Sequence, residues 1–206
     1  TLVELAKKNA TVAFNEGRGS DRNREILDDL QELLSLEYYP RRIECFDISN
    51  IQGTRAVASG VTFIDGEPAK AQYRKFRIRT VEGADDYAMM REVLERRVSR
   101  GIKEGNLPDL LIVDGGRGQL NVARDVISRL GADAVEVVGM AKVREESGRK
   151  IRGQERIYLP DRDEPLLLDG QSQALYLLER VRDEAHRFAN TYHRQLRNQA
   201  MGESKL

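Results

Sequence analysis

The amino-acid sequence predicts an α/β fold in which helices pack on the faces of a mixed five-stranded sheet. Two observations carry this prediction. Between residues 42 and 79, strand-like segments follow one another and are joined by short turns. From residue 85 onward, segments with helical periodicity alternate with short apolar runs. The predicted order is therefore β-β-β-α-β-α-β-α, and its helical crossovers make the first, fourth and fifth strands parallel.

Residues 1–40 are expected to form a helical arm or linker that docks on a main domain spanning residues 41–206. The arm is predicted to have three segments. They are a helix over residues 2–14, a polar loop over residues 16–24, and a second helix that starts at Ile26 and ends near Tyr39-Pro40. The first residue is not methionine, so we expect the chain to be part of a longer protein.

The main domain begins with an antiparallel meander and continues as alternating helices and strands. Its first strand runs from Arg42 through Asp47 to Ser49, and Asp65-Gly66 is a typical hairpin turn after the second. The later segments are strands over residues 56–64, 71–79, 110–114 and 135–140, helices over residues 85–103, 119–130 and 172–199, and a polar hairpin or loop over residues 144–157.

Composition excludes some classes of function without choosing among the others. The 34 basic and 34 acidic residues cancel, so net charge indicates no partner. The single cysteine, Cys45, lies in a strand pattern and favours a reducing, cytoplasmic environment. No apolar run approaches the ~20 residues that a membrane-spanning helix needs, so we expect no membrane association.

Two predicted strands end on an aspartate. Asp47 lies at the end of the first strand, and Asp114 ends the fourth and is followed by Gly115-Gly116. If these strands are parallel neighbours, both carboxylates emerge at one edge of the sheet, where they repel unless a cation lies between them. Such oxygen ligands suit Mg²⁺ or Mn²⁺, which can support phosphodiester hydrolysis. Alternatively, each aspartate separately caps a turn.

The two histidines, His186 and His193, lie beside the apolar stripe of the last predicted helix. Asp183 precedes His186 by about one turn and could orient its ring. Surface histidines on helices often have no special role, so the pattern alone leaves the function of His186 open.

Basic residues are clustered in several segments that could neutralise nucleic-acid phosphates. Arg117 is the best placed of them, because it opens a helix beside Asp114. The other candidates are Arg74, Lys75, Arg77 and Arg79 in the third strand, Arg187, Arg194 and Arg197 in the last helix, and Arg144, Arg149, Lys150 and Arg152 in the predicted loop. Ordinary solvated faces carry similar charges, so binding by this chain alone is expected to be weak and sensitive to salt.

Five motifs in order resemble the C-terminal nuclease half of the UvrC family. They are FDISNIQG from Phe46, YRKF from Tyr73, Asp85-Asp86-Tyr87, VDGGRGQ from Val113 and RDEAHRF from Arg182. The resemblance implies an RNase H-like fold and a metal-dependent DNA endonuclease. It further implies incision 5′ to a lesion in nucleotide excision repair, on damaged double-stranded DNA and with UvrB–DNA as the partner of the full-length protein.

Matching the motifs position by position places the family's catalytic residues on Asp47, Asp114 and His186, the last as a possible metal ligand. A further family aspartate falls on Asp86, which also suits the first turn of its helix electrostatically. His193 is given at most a supporting role. The resemblance does not extend to an upstream nuclease domain, a UvrB-binding motif or a tandem helix-hairpin-helix module, so we expect a catalytic core that is monomeric alone.

Two other classes of function compete with the nuclease. A non-catalytic DNA- or partner-binding module on the same fold would have no need to hold two carboxylates together. An ATP-dependent phosphotransferase of the actin and sugar-kinase type also uses Asp-Gly loops at phosphates, but such enzymes need two domains of this kind around a cleft.

Overall fold

The computed structural model describes residues 19–49, 57–81, 83, 85–142, 154–169 and 172–203, with the backbone alone described for residues 49, 154, 169 and 192–203. Its helices are α1 (19–34 of the described residues), α2 (Asp86–Glu104), α3 (Arg117–Arg129) and α4 (Gln173–Glu203), with a short 3-10 helix at Lys70–Gln72. Its strands are β1 (Arg42–Ser49), β2 (Val57–Ile64), β3 (Glu67–Pro68), β4 (Arg74–Arg77), β5 (Leu110–Asp114), β6 (Glu136–Lys142), β7 (Gln154–Tyr158) and β8 (Leu166–Asp169).

All of these strands join one mixed sheet in the order β3-β2-β1-β5-β6-β7-β8, with β4 paired to β2 beside β3. β1 is parallel to β5, and β5 is parallel to β6, as the helical crossovers predict. β2 is antiparallel to both β1 and β4. The predicted α/β class, parallel centre and antiparallel meander are therefore confirmed.

The predicted count of five strands is wrong, since the described residues contain eight. The third predicted strand, over residues 71–79, is reduced to β4. Before it, the Ala69 N–H donates to the Thr62 carbonyl at 2.8 Å, and the Gln72 N–H donates to the Ala69 carbonyl at 2.8 Å. The chain thus pairs with β2 at β3, leaves that edge for one 3-10 turn, and returns to it as β4.

β7 and β8 extend the sheet where the sequence suggests a loop or gives no strand signal. β7 is polar apart from Ile157 and Tyr158, so its apolar alternation is too short to detect. β8 is an outer strand with an exposed Leu167. The rest of the predicted hairpin or loop, over residues 144–153, lies outside the described residues, as does the predicted helix over residues 2–14.

The predicted loop over residues 16–24 is also wrong for its described part, because residues 19–24 belong to α1. Tertiary contacts hold this turn in helical form. The Asn23 side-chain amide donates to the Asp65 carbonyl and to Glu67 Oε1, both at 3.1 Å, and Arg22 donates to Gln173 at 3.1 Å. Polar composition therefore marks an exposed helix surface here.

The sheet separates two apolar cores. On one face, Leu27, Leu30 and Leu34 of α1 pack with α4 and with the side chains of β1 and β5 that face them. On the other face, α2 and α3 pack on Phe46 and Val113. Full burial of a leucine side chain contributes about 2 kcal/mol, so the three leucines of α1 alone bind that helix firmly to the sheet. No helix among the described residues combines the length and the apolar character needed to cross a membrane.

Candidate active site

The two aspartates lie side by side at the carboxyl ends of the two central parallel strands. Phe46 of β1 lies opposite Val113 of β5, and Asp47 and Asp114 are the next residues along the two strands. Side chains alternate along a strand, and the residue two before each aspartate, Cys45 or Ile112, lies in the core that contacts α4. Both carboxylates therefore project towards α4, as the strand-end prediction requires.

The third side chain of the cluster, His186, comes from α4. Its Nδ1 atom lies 3.4 Å from Asp47 Oδ2, and one potential ligand atom from each of Asp47, Asp114 and His186 lies within 4.8 Å of the others. The neighbouring residue, Ala185, is fully buried, and its carbonyl accepts a hydrogen bond from Ser59 Oγ at 3.3 Å. This contact to β2 sets the depth of α4 beside the carboxylates.

Solvent reaches the three side chains unequally. The side chain of Asp47 is 9% exposed, whereas that of His186 is 63% exposed. Burial, reinforced by the negative charge of Asp47, raises the pKa of Asp114 from 3.8 to about 6, although the charges of Arg182, His186 and Lys142 oppose the rise. A divalent cation would relieve this repulsion, and two carboxylates with an imidazole form a donor set that fits one.

A buried ion pair joins α4, the helix that carries His186, to the sheet. Arg182, four residues before His186 on α4, pairs with Glu155 of β7, and both side chains are almost fully buried. Arg182 also donates to Asp183 Oδ1 at 3.0 Å, so Asp183, suggested by the sequence as a partner of His186, contacts the arginine. Glu155 was not identified from the sequence. Its partner Arg182 could have been noticed, because it lies one helical turn before His186 on the same helix.

The remaining predicted acidic residue lies at the start of α2. Asp85 caps this helix by accepting a hydrogen bond from the Ala88 N–H at 3.0 Å. Asp86 is exposed in the first turn, where a carboxylate favours the helix dipole, and it is not one of the three clustered ligands. The next residue, Tyr87, packs over Gly118 so closely that a β-carbon there would lie 2.5 Å from the Tyr87 hydroxyl.

The predicted phosphate-binding residues are dispersed. Strand alternation places Lys75 and Arg77 on the face of β4 towards α4, and the Lys75 Nζ atom lies 5.1 Å from the centre of the Phe188 ring. Arg74, on the opposite face, donates to the carbonyls of Ala71 and Tyr73.

Two other candidates have protein partners. Arg117 donates to the carbonyls of Leu159, Arg162 and Asp163, which tie α3 to the β7–β8 connection. Arg187 forms a two-pronged pair with Glu184, at 2.6 and 2.7 Å. Arg79 is exposed after β4, and its N–H donates to Glu92. The side chains of His193, Arg194 and Arg197, and the loop residues Arg144, Arg149, Lys150 and Arg152, lie outside the description.

Comparison with known proteins gives consistent relatives. The family model described as the UvrC RNase H endonuclease domain matches residues 31–190. UvrABC system protein C of Desulfotalea psychrophila is 48% identical over 207 residues, covering 100% of this chain and 33% of that protein. The proteins of the same name from Geotalea daltonii and Syntrophus aciditrophicus are 49% and 50% identical, covering 100% and 97% of this chain and 34% and 32% of theirs.

Among solved structures, endonuclease V of Ciona intestinalis, crystallised with a DNA 24-mer containing an inosine followed by a ribo-adenosine, matches with a TM-score of 0.48 and 11% identity, over 89% of this chain and 99% of that chain. The chain spans about a third of the length of the curated relatives that it matches. The match of the family model over residues 31–190 and the identity to these relatives carry the assignment. The chain therefore belongs to the UvrC RNase H endonuclease domain family.

Proposed function

We propose that the chain is a metal-dependent DNA endonuclease domain that hydrolyses a phosphodiester bond 5′ to a lesion in nucleotide excision repair. The observation that supports this proposal best is the cluster formed by Asp47, Asp114 and His186, which combines hard and borderline ligands beside an exposed edge of the sheet. Membership of the UvrC family supplies the context of DNA repair.

The three clustered side chains would hold the cation, which we propose to be Mg²⁺ or Mn²⁺. When bound, the ion supplies positive charge that offsets the negative charge developing on the scissile phosphate. Asp47 is fixed by its burial and by its place in β1, so it defines the position of the site. Asp114 enters the site from the neighbouring strand, and in the ionised state it contributes the second carboxylate.

His186 is proposed as the third ligand. Unlike a third carboxylate, an imidazole adds no negative charge, so it completes the site without adding to the repulsion between Asp47 and Asp114. Proton transfer to the leaving oxygen is the competing role, and the high exposure of the ring would suit it. Asp86 is proposed as an accessory residue, since its exposed carboxylate lies in the first turn of α2 and apart from the clustered ligands.

The substrate proposed for this activity is damaged double-stranded DNA, presented by UvrB to the full-length protein in the cytoplasm. The described chain is proposed to be monomeric when isolated. Lys75 and Arg77 are the proposed phosphate contacts nearest the site, because Asp47, Ser59 and Lys75 occupy one row across β1, β2 and β4. Arg74, Arg117 and Arg187, with Arg194 and Arg197, remain proposals as secondary contacts.

Nicking of supercoiled plasmid in Mn²⁺ by the Asp114→Asn variant tests the proposal. Asparagine keeps the volume and removes the charge, so we expect no nicking above background and a folded protein by thermal melting. The matched control is Asp161→Asn, because the side chain of Asp161 is 93% exposed in the turn between β7 and β8. Nicking by Asp114→Asn at the wild-type rate would show that the cluster is not the active site.

A further inference from the structure

A strongly basic cavity lies on the face of the sheet opposite the clustered ligands. It has a volume of about 200 Å³ and lies between β1, β2, β4 and the second half of α2. Against two glutamates, Glu44 and Glu104, its lining contains the arginines Arg42, Arg74, Arg96, Arg97 and Arg100. Since the whole chain has a formal net charge of zero, this excess marks a local concentration of positive charge.

Of three larger cavities, the one between α1 and α4 has Arg22 and Arg180 against Glu67, and the other two carry more acidic than basic residues. The one between α1 and the β2–β3 turn is lined by Arg24 and Arg41 against three acidic residues. The one between α1, α3 and β6 is lined by two arginines against three acidic residues. The positive potential of the cavity beside α2 therefore does not reflect a general surplus of arginine on the surface.

A buried carboxylate organises the floor of this cavity. Glu44 accepts two hydrogen bonds from Arg97, at 2.8 and 2.6 Å, and one from Arg42 Nε at 2.9 Å. Arg97 also donates to the Asn106 carbonyl at 2.7 Å. One carboxylate thus holds two guanidinium groups in fixed positions, which leaves a net positive charge at the floor.

The rim of the cavity is adaptable. The side chain of Arg100 is 64% exposed and pairs with Glu104 at 2.6 Å. A solvent-exposed ion pair of this kind is weak because water and salt screen it, so Arg100 can turn to another anion at little cost. Arg96 lies over the Phe76 ring at 5.7 Å, and Arg74 projects to the same face of β4 as Phe76.

We propose that this cavity binds a phosphate group, carried either by a nucleic-acid backbone or by a free phosphorylated ligand. A fixed positive floor and the exposed Arg100 at the rim match the charge and the donor requirement of a phosphate. The polymer as the source rests on the proposed nuclease function, because β4 contributes Arg74 and Lys75 to the lining of the cavity and Lys75 is also in register with Asp47 across β2. Arg42 lies five positions before Asp47 in β1, or about 16 Å along the strand, so the cavity and the ligand cluster lie at different ends of β1 as well as on opposite faces of the sheet.

The test is the binding of a labelled DNA duplex to the 206-residue chain across a salt series, measured by fluorescence anisotropy with EDTA so that no cutting occurs. The Arg74→Ala/Arg100→Ala variant should bind more weakly at low salt. Its log-log salt slope should fall by about 0.9 for each phosphate that the variant no longer neutralises. Because the measurement needs no metal, failure of the proposed nuclease activity would leave this result unaffected.

The matched control is Arg41→Ala/Arg180→Ala, which removes the same charge from two exposed, ion-paired arginines outside the cavity. The control should retain the wild-type salt slope. Equal slopes for the cavity variant and the control would overturn the proposal for nucleic acid.

A second measurement distinguishes the sources of the phosphate. We compare thermal melting of wild type and the Arg74→Ala/Arg100→Ala variant in inorganic phosphate and in chloride of equal ionic strength. A phosphate-specific rise in melting temperature for wild type alone indicates a site for small phosphorylated ligands. A changed DNA salt slope without this rise indicates a polymer backbone, and the absence of both effects would overturn the proposal entirely.

Discussion

Asp114 is the residue at which function and stability oppose each other. Its pKa is raised because the carboxyl is largely buried and faces Asp47, so ionising it at neutral pH costs folding free energy. A site designed only for stability would replace one of these carboxylates. The chain keeps both, which is consistent with the proposed need for two negative ligands around a cation.

The elevated pKa of Asp114 predicts a pH dependence of stability in metal-free protein. Between pH 3.8 and about 6 the folded state binds more protons than the unfolded state, so this residue stabilises the protein as the pH falls through 6. Its contribution to the free energy of unfolding should decrease by on the order of 2–3 kcal/mol from pH 4 to pH 7. Urea unfolding in EDTA at several pH values measures it.

The Asp114→Asn variant is the comparison for this measurement, because it cannot ionise at that position. It should be more stable than wild type at pH 7, and the difference should shrink towards pH 4. A difference that does not change with pH would contradict the assigned cause.

Two roles for His186 are compatible with its distance from Asp47, and a single substitution distinguishes them. If the imidazole is a ligand, His186→Asp replaces it with a harder oxygen donor and should retain or strengthen Mn²⁺ binding, with some cutting preserved. If the ring transfers protons, the same variant should lose cutting while its Mn²⁺ affinity changes little. Titration calorimetry with Mn²⁺ alongside plasmid nicking distinguishes them, and full activity of His186→Ala would contradict both.

At the scale of the secondary-structure elements, a buried ion pair between Arg182 and Glu155 joins α4 to β7. Arg182 and Glu155 are almost completely buried, so removal of Arg182 would leave the Glu155 carboxylate in the interior without this partner. Ala185, three residues beyond Arg182, is the residue through which α4 also hydrogen-bonds to β2. The two contacts together fix the position of His186 relative to the strand ends.

Replacing Arg182 by methionine should lower the free energy of unfolding by about 3–5 kcal/mol, as expected when one partner of a buried pair is removed. The Arg182→Met/Glu155→Leu variant should recover much of this loss, since no buried charge remains. A double-mutant cycle by urea unfolding measures the coupling. Additive effects of the two single substitutions would show that the pair does not join α4 to β7.

The elements also show what the sequence could and could not predict. Asp47 and Asp114 were predictable because a strand that ends on a carboxylate is a local pattern, and parallel pairing follows from the helical crossovers. Placing His186 at the same edge required the family resemblance, because periodicity alone indicates a surface histidine. Glu155 could not be predicted, because β7 is too polar to be distinguished from a loop, and only Arg182, distant in sequence, makes its burial possible.

At the scale of the whole molecule, the predicted basic surface divides into two. Lys75 and Arg77 lie on the face of the sheet that holds the cluster of Asp47, Asp114 and His186, whereas Arg74 lines the cavity on the other face. Arg117 is occupied by three main-chain carbonyls and therefore connects α3 to the β7–β8 turn. The distribution of partners, which no count of charges reveals, shows that Arg117 has a structural role in joining α3 to that turn.

The Lys75→Ala/Arg77→Ala variant should weaken DNA binding to a similar degree for duplexes of different sequence, since phosphate contacts carry no base information. Anisotropy with three unrelated duplexes at one salt concentration measures this. Loss of affinity for one sequence only would instead indicate that these residues contact bases.

The close approach of Tyr87 to Gly118 has a consequence for substitutions at either position. A β-carbon at position 118 would occupy space that the Tyr87 ring now fills, so a side chain there requires the ring to swing outward. Tyr87 is 51% exposed, so solvent leaves room for this movement. The glycine in α3 therefore gives a place to an aromatic ring thirty-one positions earlier in the chain, and a larger residue there would release that ring from α3.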